Sequence, residues 1–248
     1  MAPYGPSRVQ YSFGPGPISP AVRALLIANI GVFVITLFAP SAIIEHLGLM
    51  PAAVIGQLRV WQLVTYLFIH SPSQLSHILF NMLALWMFGV DLERRWGTRS
   101  FMTYYMFTGI AAGLSMIAVS LLPFDATRAT YSQVTIGASG AVYGLLMAWA
   151  MLFPHRQILF MMIFPVPARV FVAIMGAIAF FSAVGASGGP VANVAHLGGL
   201  LFGYVYLKGP ANLRLELQYR MTRWRMERMR RKFSVHKGGR DDWEKRIH

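Results

Sequence analysis

The sequence lacks cysteine altogether and carries few charges for its length. Without cysteine there is no disulfide and no cysteine-ligated metal site, and the redox compartment is left undetermined. Only 12% of the 248 residues are charged, whereas 56% are hydrophobic; a soluble domain carries about 25% charged residues. Because so little charge cannot cover a globular surface of this size, much of the surface must face lipid.

Acidic residues are scarce, and the resulting net charge of +13 is concentrated at one end of the chain. Lys208 and the basic residues after it make up more than half of the basic total, and most of the others flank apolar runs. Basic residues beside apolar runs are what membrane topology predicts. We therefore expect membrane lipids, and no nucleic acid, among the partners.

Six apolar stretches predict an all-α, six-helix membrane bundle. They cover about residues 24–39, 76–92, 100–121, 137–153, 168–184 and 191–207. Several contain about 17 residues and reach roughly 25 Å, the short end of what crosses a bilayer core of about 30 Å. The first stretch also fits a signal-peptide core, but its proline-rich leader is a poor start for such a peptide, which favours a span.

The bundle divides the chain into three predicted parts. Residues 1–21 are rich in proline and glycine, which predicts a flexible N-terminal tail. Residues 22–208 hold the six spans, and residues 209–248 form a basic C-terminal tail. Arginines cluster in the loops after the second and fourth spans, so the positive-inside rule places both termini in the cytoplasm.

Two segments between the spans are not predicted to be spans themselves. Residues 40–75 contain the aromatic residues Trp61, Tyr66 and Phe68, which suit the membrane–water boundary. Residues 157–167 are apolar but contain two prolines, which predicts a loop or a half-buried lead-in rather than a seventh span.

The basic tail allows two interpretations. Residues 213–233 interleave arginine with methionine, tryptophan and phenylalanine. This pattern is typical of an amphipathic helix that lies on anionic lipid headgroups. It is equally typical of a solvated charged tail that only fixes topology, and both interpretations stay open.

Ionisable side chains inside the predicted spans are few, and this limits the chemistry. Outside the C-terminal tail the acidic residues lie at span ends or in loops: Glu45, Asp91, Glu93 and Asp125. The absence of a mid-membrane carboxylate argues against an aspartyl protease and a proton-relay transporter. The absence of a His-Glu-x-x-His motif argues against a zinc protease. We expect neither a metal nor a cofactor.

The motif Gly137-Ala138-Ser139-Gly140 places a serine at the start of the fourth span. The first N–H groups of a helix lack intrahelical partners, and with the helix dipole they can stabilise an oxyanion. The glycines let backbone and substrate approach closely. Taken alone, however, the motif fits a helix cap or a packing residue better than a nucleophile.

His196 lies early in the last span. A neutral imidazole in lipid needs a hydrogen-bond partner, which either Ser139 or a backbone carbonyl would provide. Both helices carry glycines four residues apart: Gly140 and Gly144 on one, Gly199 and Gly203 on the other. Because faces of small residues allow close helix packing, the hydroxyl and the imidazole can come within hydrogen-bond range.

Three further side chains belong to the candidate site. Tyr143 lies one turn after Ser139 on the same face, where its ring can pack on the imidazole or simply belong to the core. His77 and Asn81 lie four residues apart on one face of the second span. They can donate to an oxyanion together with the Ser139 N–H, or they can form a polar clasp between helices.

Taken together, these motifs resemble those of rhomboid intramembrane serine proteases. The resemblance covers roughly residues 22–208. It rests on the order of four patterns: His77-x3-Asn81, Glu93-x3-Gly97, Gly137-x-Ser139-Gly140 with Tyr143, and Ala195-His196-x2-Gly199-x3-Gly203. Many members have Trp-Arg in the first loop where this chain has Trp61-Gln62, a departure that concerns loop anchoring rather than catalysis. His70 resembles a loop histidine of the family, and we assign it no role.

The resemblance implies an endopeptidase that cleaves transmembrane segments of other membrane proteins. Ser139 is then the nucleophile and His196 the general base of a dyad without an acid. His77, Asn81 and the Ser139 N–H would hold the oxyanion. The supporting residues would be Gly137, Gly140, Tyr143 and Gly199. A compact six-span core looks most like prokaryotic members, which implies a plasma or inner membrane.

Two other classes of function stay open. One is a non-catalytic rhomboid-like protein that binds membrane clients, although such relatives usually lack the serine, the histidine or both. The other is a channel or transporter, which is less favoured because the sequence has neither paired charges in its spans nor duplicated halves.

Overall fold

The computed structural model describes residues 14–124, 127, 130–160, 163–184, 190–209, 224 and 228. The chain divides into two units, Met1–Leu207 and Lys208–His248, and the fold below is that of the first. The segment 213–233, for which an amphipathic helix and a solvated tail both stay open, lies outside the described residues except at Trp224 and Arg228. The first thirteen residues of the predicted N-terminal tail also lie outside them.

Nearly all secondary structure in the described ranges is helical. In chain order the elements are α1 Pro20–Phe38, α2 Pro40–Leu47, α3 Pro51–Gly56, α4 Gln62–Thr65, a 3-10 turn Tyr66–Phe68, α5 Leu75–Trp96, α6 Thr98–Ser120, α7 Ser139–Leu152, β1 Gln157–Phe160, β2 Phe164–Pro167, α8 Ala168–Val184 and α9 Pro190–Lys208. Each predicted apolar stretch coincides with one of the longer helices, so the all-α prediction is confirmed.

The longer helices differ in how far they reach. Among the described residues, α1, α5 and α6 are long and apolar enough to cross a membrane, while α7 and α8 are shorter apolar helices. The number of six spans therefore stays a prediction. With 14 residues, α7 is only about 21 Å long, less than a bilayer core of about 30 Å. When one end of α7 reaches the boundary, the other lies within the apolar layer.

The buried carboxylate of Glu93 ties three helices together. It accepts hydrogen bonds from the backbone N–H groups of Ala21 and Val22 at 2.9 and 3.0 Å, and from the hydroxyl groups of Ser19 and Thr98. An acidic group at this position satisfies N–H groups that the first turn of α1 leaves unpaired. Glu93 thereby fixes the start of α1 against α5 and α6.

The end of the proline-rich leader is ordered by the same turn. Helix α1 begins at Pro20, two residues before the predicted boundary, because proline fits the first helical position, where no N–H is needed. The guanidinium of Arg94 donates to the carbonyl oxygens of Pro15 and Pro17. These contacts hold the residues just before α1 against the end of α5.

The mixed segment between α1 and α5 contains short helices. The buried side chain of Gln62 accepts from the Met50 N–H at 3.1 Å and donates to the Glu45 and His46 carbonyl oxygens at 3.3 Å. The glutamine therefore anchors this loop through backbone groups. Tyr66 is 1% exposed, and its hydroxyl needs, and finds, an internal acceptor; the position of the aromatic residues at the membrane–water boundary stays a prediction.

Residues 157–160 and 164–167, predicted to be a loop or a half-buried lead-in, form an antiparallel pair of strands. Strands β1 and β2 pair from Gln157 opposite Pro167 to Phe160 opposite Phe164. Prolines are tolerated because both strands of a two-stranded ribbon are edges with one unpaired side. The Ala168 N–H closes the base by donating to the Arg156 carbonyl oxygen at 2.8 Å.

Helix α7 lies in the centre of the bundle. Most of its side chains are buried, and it packs against both α5 and α6. A helix that is apolar all round is expected to be enclosed by its neighbours. The Tyr104 hydroxyl of α6 donates to the Gly144 carbonyl oxygen at 2.7 Å. These contacts fix the position of α7, and therefore of the half-buried Ser139 at its start.

Candidate active site

Ser139 is the first residue of α7, and the backbone before it is held from two sides. The Gly137 N–H donates to the Tyr66 carbonyl oxygen at 2.9 Å. Two residues earlier, Thr135 forms a β-bridge with Leu49. Gly137 has φ +119°, a conformation that side chains rarely adopt. The turn into α7 is thus set by glycine and by contacts to the segment before α5.

The contact between α7 and α9 is made by backbone. A Cβ atom on Gly199 would lie 2.0 Å from the Gly140 carbonyl oxygen, and one on Gly203 would lie 3.2 Å from the Gly144 Cα. The two faces of small residues therefore meet directly. His196, one turn before Gly199 on α9, is brought to the start of α7 by this contact.

The hydroxyl of Ser139 and the imidazole of His196 are in hydrogen-bond contact. The distance from His196 Nε2 to Ser139 Oγ is 2.8 Å, although 57 residues separate them. The Tyr143 ring stacks on the imidazole with centroids 4.3 Å apart and an angle of 4°. Within the described residues, no group bonds to the buried Nδ1 of His196. The pair therefore has a stacking aromatic ring in place of an orienting acid.

His77 faces the turn that precedes Ser139. The Ser71 N–H points to His77 Nδ1 at 3.5 Å, which makes Nδ1 the acceptor and leaves the proton on Nε2. A Cβ atom on Gly137 would lie 2.6 Å from this Nε2 and 3.8 Å from Ser139 Oγ. Glycine is thus required for His77 to approach, and a donor N–H lies beside the serine.

Asn81 lies one turn below His77 and is buried. Its Nδ2 donates to the His77 carbonyl oxygen at 2.8 Å, which leaves a second amide hydrogen, while its Oδ1 has no partner among the described residues. The side chain is therefore partly engaged with its own helix. Its expected part in an oxyanion site stays a prediction.

Sequence reasoning attached no role to two buried residues near the site. Tyr66 bridges the segment before α5 to α6, since its hydroxyl donates to the Gly109 carbonyl oxygen at 2.6 Å. His70 is 0% exposed and packs against His77. For His70, the signal in the sequence was a histidine seven residues before His77 in a short apolar segment. This signal does not indicate which side chain packs against the His70 ring.

Comparison with known proteins places this arrangement in a family. The Rhomboid domain matches residues 57–209, well over half of the chain. The chain belongs to the rhomboid family. Its membership, together with its apolar helices, makes it a membrane protein. The matched range contains both members of the Ser139–His196 pair as well as His77 and Asn81.

Three relatives of this rhomboid chain illustrate its range. It is 36% identical over 138 residues to Rhomboid protein 1, mitochondrial, of Saccharomyces cerevisiae, covering 55% of this chain and 38% of the relative. It is 29% identical over 157 residues to Rhomboid protease GluP of Bacillus subtilis, covering 63% and 27%. It is 30% identical over 188 residues to RHOMBOID-like protein 1 of Arabidopsis thaliana, covering 70% and 42%. The chain thus spans less than half the length of these relatives.

Proposed function

We propose that this rhomboid is an intramembrane serine endopeptidase that uses Ser139 and His196 as a catalytic dyad. The observation that carries the proposal is the 2.8 Å contact between Ser139 Oγ and His196 Nε2 at the start of a short, enclosed helix. A nucleophile and a base in hydrogen-bond contact are the minimum for covalent catalysis by serine. One relative is itself named a rhomboid protease.

The first step transfers one proton and forms one bond. His196 Nε2 takes the hydroxyl proton as Ser139 Oγ attacks the substrate carbonyl carbon, and the carbonyl oxygen becomes an oxyanion. As the tetrahedral intermediate collapses, the C–N bond breaks and the leaving amine takes the proton from His196. Water then attacks the acyl-enzyme, with His196 again as base, and releases the acid and the free serine.

The oxyanion needs donors that are already in place before the reaction. The Ser139 backbone N–H at the start of α7 is one such donor, and the Nε2–H of His77 beside Gly137 is the second. Asn81 adds its remaining amide hydrogen. Donors fixed in advance stabilise the transition state without reorganisation, and removal of one typically costs about 10²–10³ in kcat.

Among the residues that the structure describes, no carboxylate contacts the dyad, and this has a kinetic consequence. In a serine triad, loss of the correctly oriented acid lowers kcat by about 10⁴. Tyr143 takes over part of the positioning by stacking on the ring, but it supplies no charge. We therefore expect a slow enzyme whose rate depends on the fixed geometry of α7 and α9.

The substrates are transmembrane segments of other proteins. We place Ser139 at the end of α7 that lies within the apolar layer, because this helix is shorter than the bilayer core; a scissile bond must then reach it there. A helix whose carbonyl groups are all paired offers none for attack, so segments that unwind easily are preferred. The relatives come from a mitochondrion, a plant and a bacterium, so they do not support a prokaryotic plasma membrane over other membranes.

Cleavage of a reporter in vesicles tests the proposal. Ser139→Ala and His196→Ala should each abolish cleavage of a purified transmembrane reporter. Ser115→Ala is the matched control, because Ser115 is also a half-buried serine in a helix but donates only to the Ala111 carbonyl oxygen; it should retain activity.

A fluorophosphonate probe distinguishes the enzyme from a non-catalytic client-binding protein. The probe should label the wild-type chain and the Ser115→Ala variant and spare Ser139→Ala. Reporter binding without cleavage or labelling would instead assign this chain to the client-binding class and overturn the proposed activity.

A further inference from the structure

His70 is a fully buried histidine whose ring nitrogens are not used in the proposed mechanism. Its side chain is 0% exposed, and within the described residues neither Nδ1 nor Nε2 has a hydrogen-bond partner. A buried polar group without a partner destabilises the folded protein. The ring therefore contributes by packing rather than by hydrogen bonding, and the question is what it packs against.

The ring that His70 packs against is that of His77. Their centroids lie 5.1 Å apart with an angle of 58° between the planes, a tilted arrangement favoured by aromatic pairs. The next residue, Ser71, directs its backbone N–H to His77 Nδ1. Two consecutive residues of one loop thus hold the same imidazole, one through its ring and the other through a backbone donor.

Two degrees of freedom of His77 matter for an oxyanion donor. A neutral imidazole carries one proton, which can be on either nitrogen, and the ring can rotate about its bond to Cβ. Only Nε2–H beside Gly137 directs a donor toward the serine. The Ser71 N–H selects the tautomer, but at 3.5 Å the bond is long, and such a bond restrains rotation weakly.

We propose that His70 is a positioning residue that restrains the His77 ring through packing, so that Nε2–H stays directed at the space beside Ser139. The inference rests on the proposed function for its kinetic consequences, while the restraint itself is a property of the fold. Small misplacements of catalytic groups reduce rates strongly, by up to about 10²-fold per ångström. The loss of the restraint lowers kcat and leaves substrate binding unchanged.

A double-mutant cycle on kcat is the first test. His77→Ala should lower kcat by about 10²-fold, and His70→Ala by about tenfold with KM changed less than about twofold. In the His77→Ala background, His70→Ala should have no further effect, because there is no ring left to position. His70→Phe retains a planar ring and should restore most of the wild-type kcat.

A control separates positioning from a general loosening of the loop. Ile69 is also 0% exposed and adjacent in sequence; Ile69→Ala should lower the thermal stability, and its effect on kcat should multiply with that of His77→Ala. If the effects of His70→Ala and His77→Ala also multiply, or if a folded His70→Phe is as slow as His70→Ala, the proposal is wrong. Should His70→Ala not fold, His70→Leu fills the volume without a ring and completes the same cycle.

Nitrogen-15 NMR of labelled histidine tests the restraint without any activity. The wild-type protein and His70→Phe should show one His77 tautomer with Nε2 protonated, and His70→Ala a mixture. A single unchanged tautomer and an unbroadened ring signal in His70→Ala would contradict the positioning role. This measurement holds even if Ser139→Ala cleaves as fast as wild type, an outcome that would defeat the proposed function alone.

Discussion

Helix α9 packs against α7 and against α8, among other neighbours, and these two contacts differ in kind. Against α7, Gly199 lies on the Gly140 carbonyl oxygen with no room for a single added carbon. Against α8, Gly176 faces the end of the Leu200 side chain, and an added Cβ would lie 3.3 Å from Leu200 Cδ1. The first contact joins backbone to backbone and the second meets a flexible side chain. The rigid contact is the one that sets the distance between Ser139 and His196.

Helix α8 is loosely packed along its whole length. Only Ala168 and Ala179 are buried in it, and large side chains such as Phe180 and Phe181 are exposed. In a membrane protein such side chains meet lipid, which fills irregular surfaces without defined contacts. The comparison shows that α9 is packed more tightly against α7, which carries Ser139, than against α8.

The largest expected effect comes from breaking the tight contact. Gly199→Ala places a methyl group on the Gly140 carbonyl oxygen, so the helices must separate. Overpacking of this kind costs about 1–3 kcal/mol, and the separation moves His196 from Ser139, which should lower kcat by about 10²-fold. Reporter cleavage and thermal unfolding measure the two effects. Near wild-type activity in this variant would show that the dyad tolerates helix separation.

The next effect is a loss of stability when His70, in the loop before α5, is protonated. Burial, with His77 facing the ring, lowers the pKa of His70 to about 4 from 6.5. The unfolded chain binds a proton at His70 more readily than the folded chain does. The free energy of unfolding therefore keeps its full value above pH 6.5 and decreases as the pH falls toward 4. The full loss is about 3 kcal/mol.

Thermal unfolding in detergent between pH 7 and pH 4 measures this dependence. The unfolding temperature of wild type should fall over the range more steeply than that of His70→Phe, which has no proton to bind. Equal slopes in the two proteins would mean that the buried imidazole is not responsible.

A smaller effect is expected one turn along the same tight contact. A Cβ atom on Gly203 would lie 2.7 Å from the Tyr104 hydroxyl oxygen and 3.2 Å from the Gly144 Cα. Gly203→Ala should therefore destabilise by about 1 kcal/mol and lower kcat less than Gly199→Ala, because the hydroxyl can move. A cleavage rate below that of Gly199→Ala would reverse the proposed order of the two glycines.

The smallest effect should come from the matched substitution on α8. Gly176→Ala meets only the tip of Leu200, and alanine is favoured over glycine within a helix by up to about 1 kcal/mol. Activity should stay within about twofold of wild type, since a packing change of this size away from the dyad is small. A loss as large as that of Gly199→Ala would show that α8 is as constrained as α7 and would remove the contrast.

Much of the candidate site was foreseeable from spacing. The four-residue intervals of Gly140 with Gly144 and of Gly199 with Gly203 predict faces of small residues, and these faces meet in the structure. What spacing could not reveal is that Gln62 anchors the first loop through three backbone groups. The sequence shows only that a glutamine is polar. Its neighbours in the folded structure determine whether its amide group is solvated or hydrogen-bonded to the protein.

The hairpin was missed for a related reason. Proline argues against a strand when each residue is judged alone, and Pro165 and Pro167 lie in β2. Whether the two prolines fit into β2 depends on how β2 pairs with β1. That pairing, which includes Phe160 with Phe164, exists only in the folded structure. His70 likewise received no role, because its packing against His77 depends on how the loop folds back over α5.

The sequence by itself determined the membrane environment, the positions of the helices, and the small set of polar side chains available for chemistry. These properties depend on composition and on local periodicity, which a single chain displays directly. Only the tertiary structure decided that Ser139 and His196 touch and that His77 presents Nε2 beside Gly137. Such relations join residues far apart in the chain, and their distances follow from the packing of whole helices, in which one added carbon changes the result.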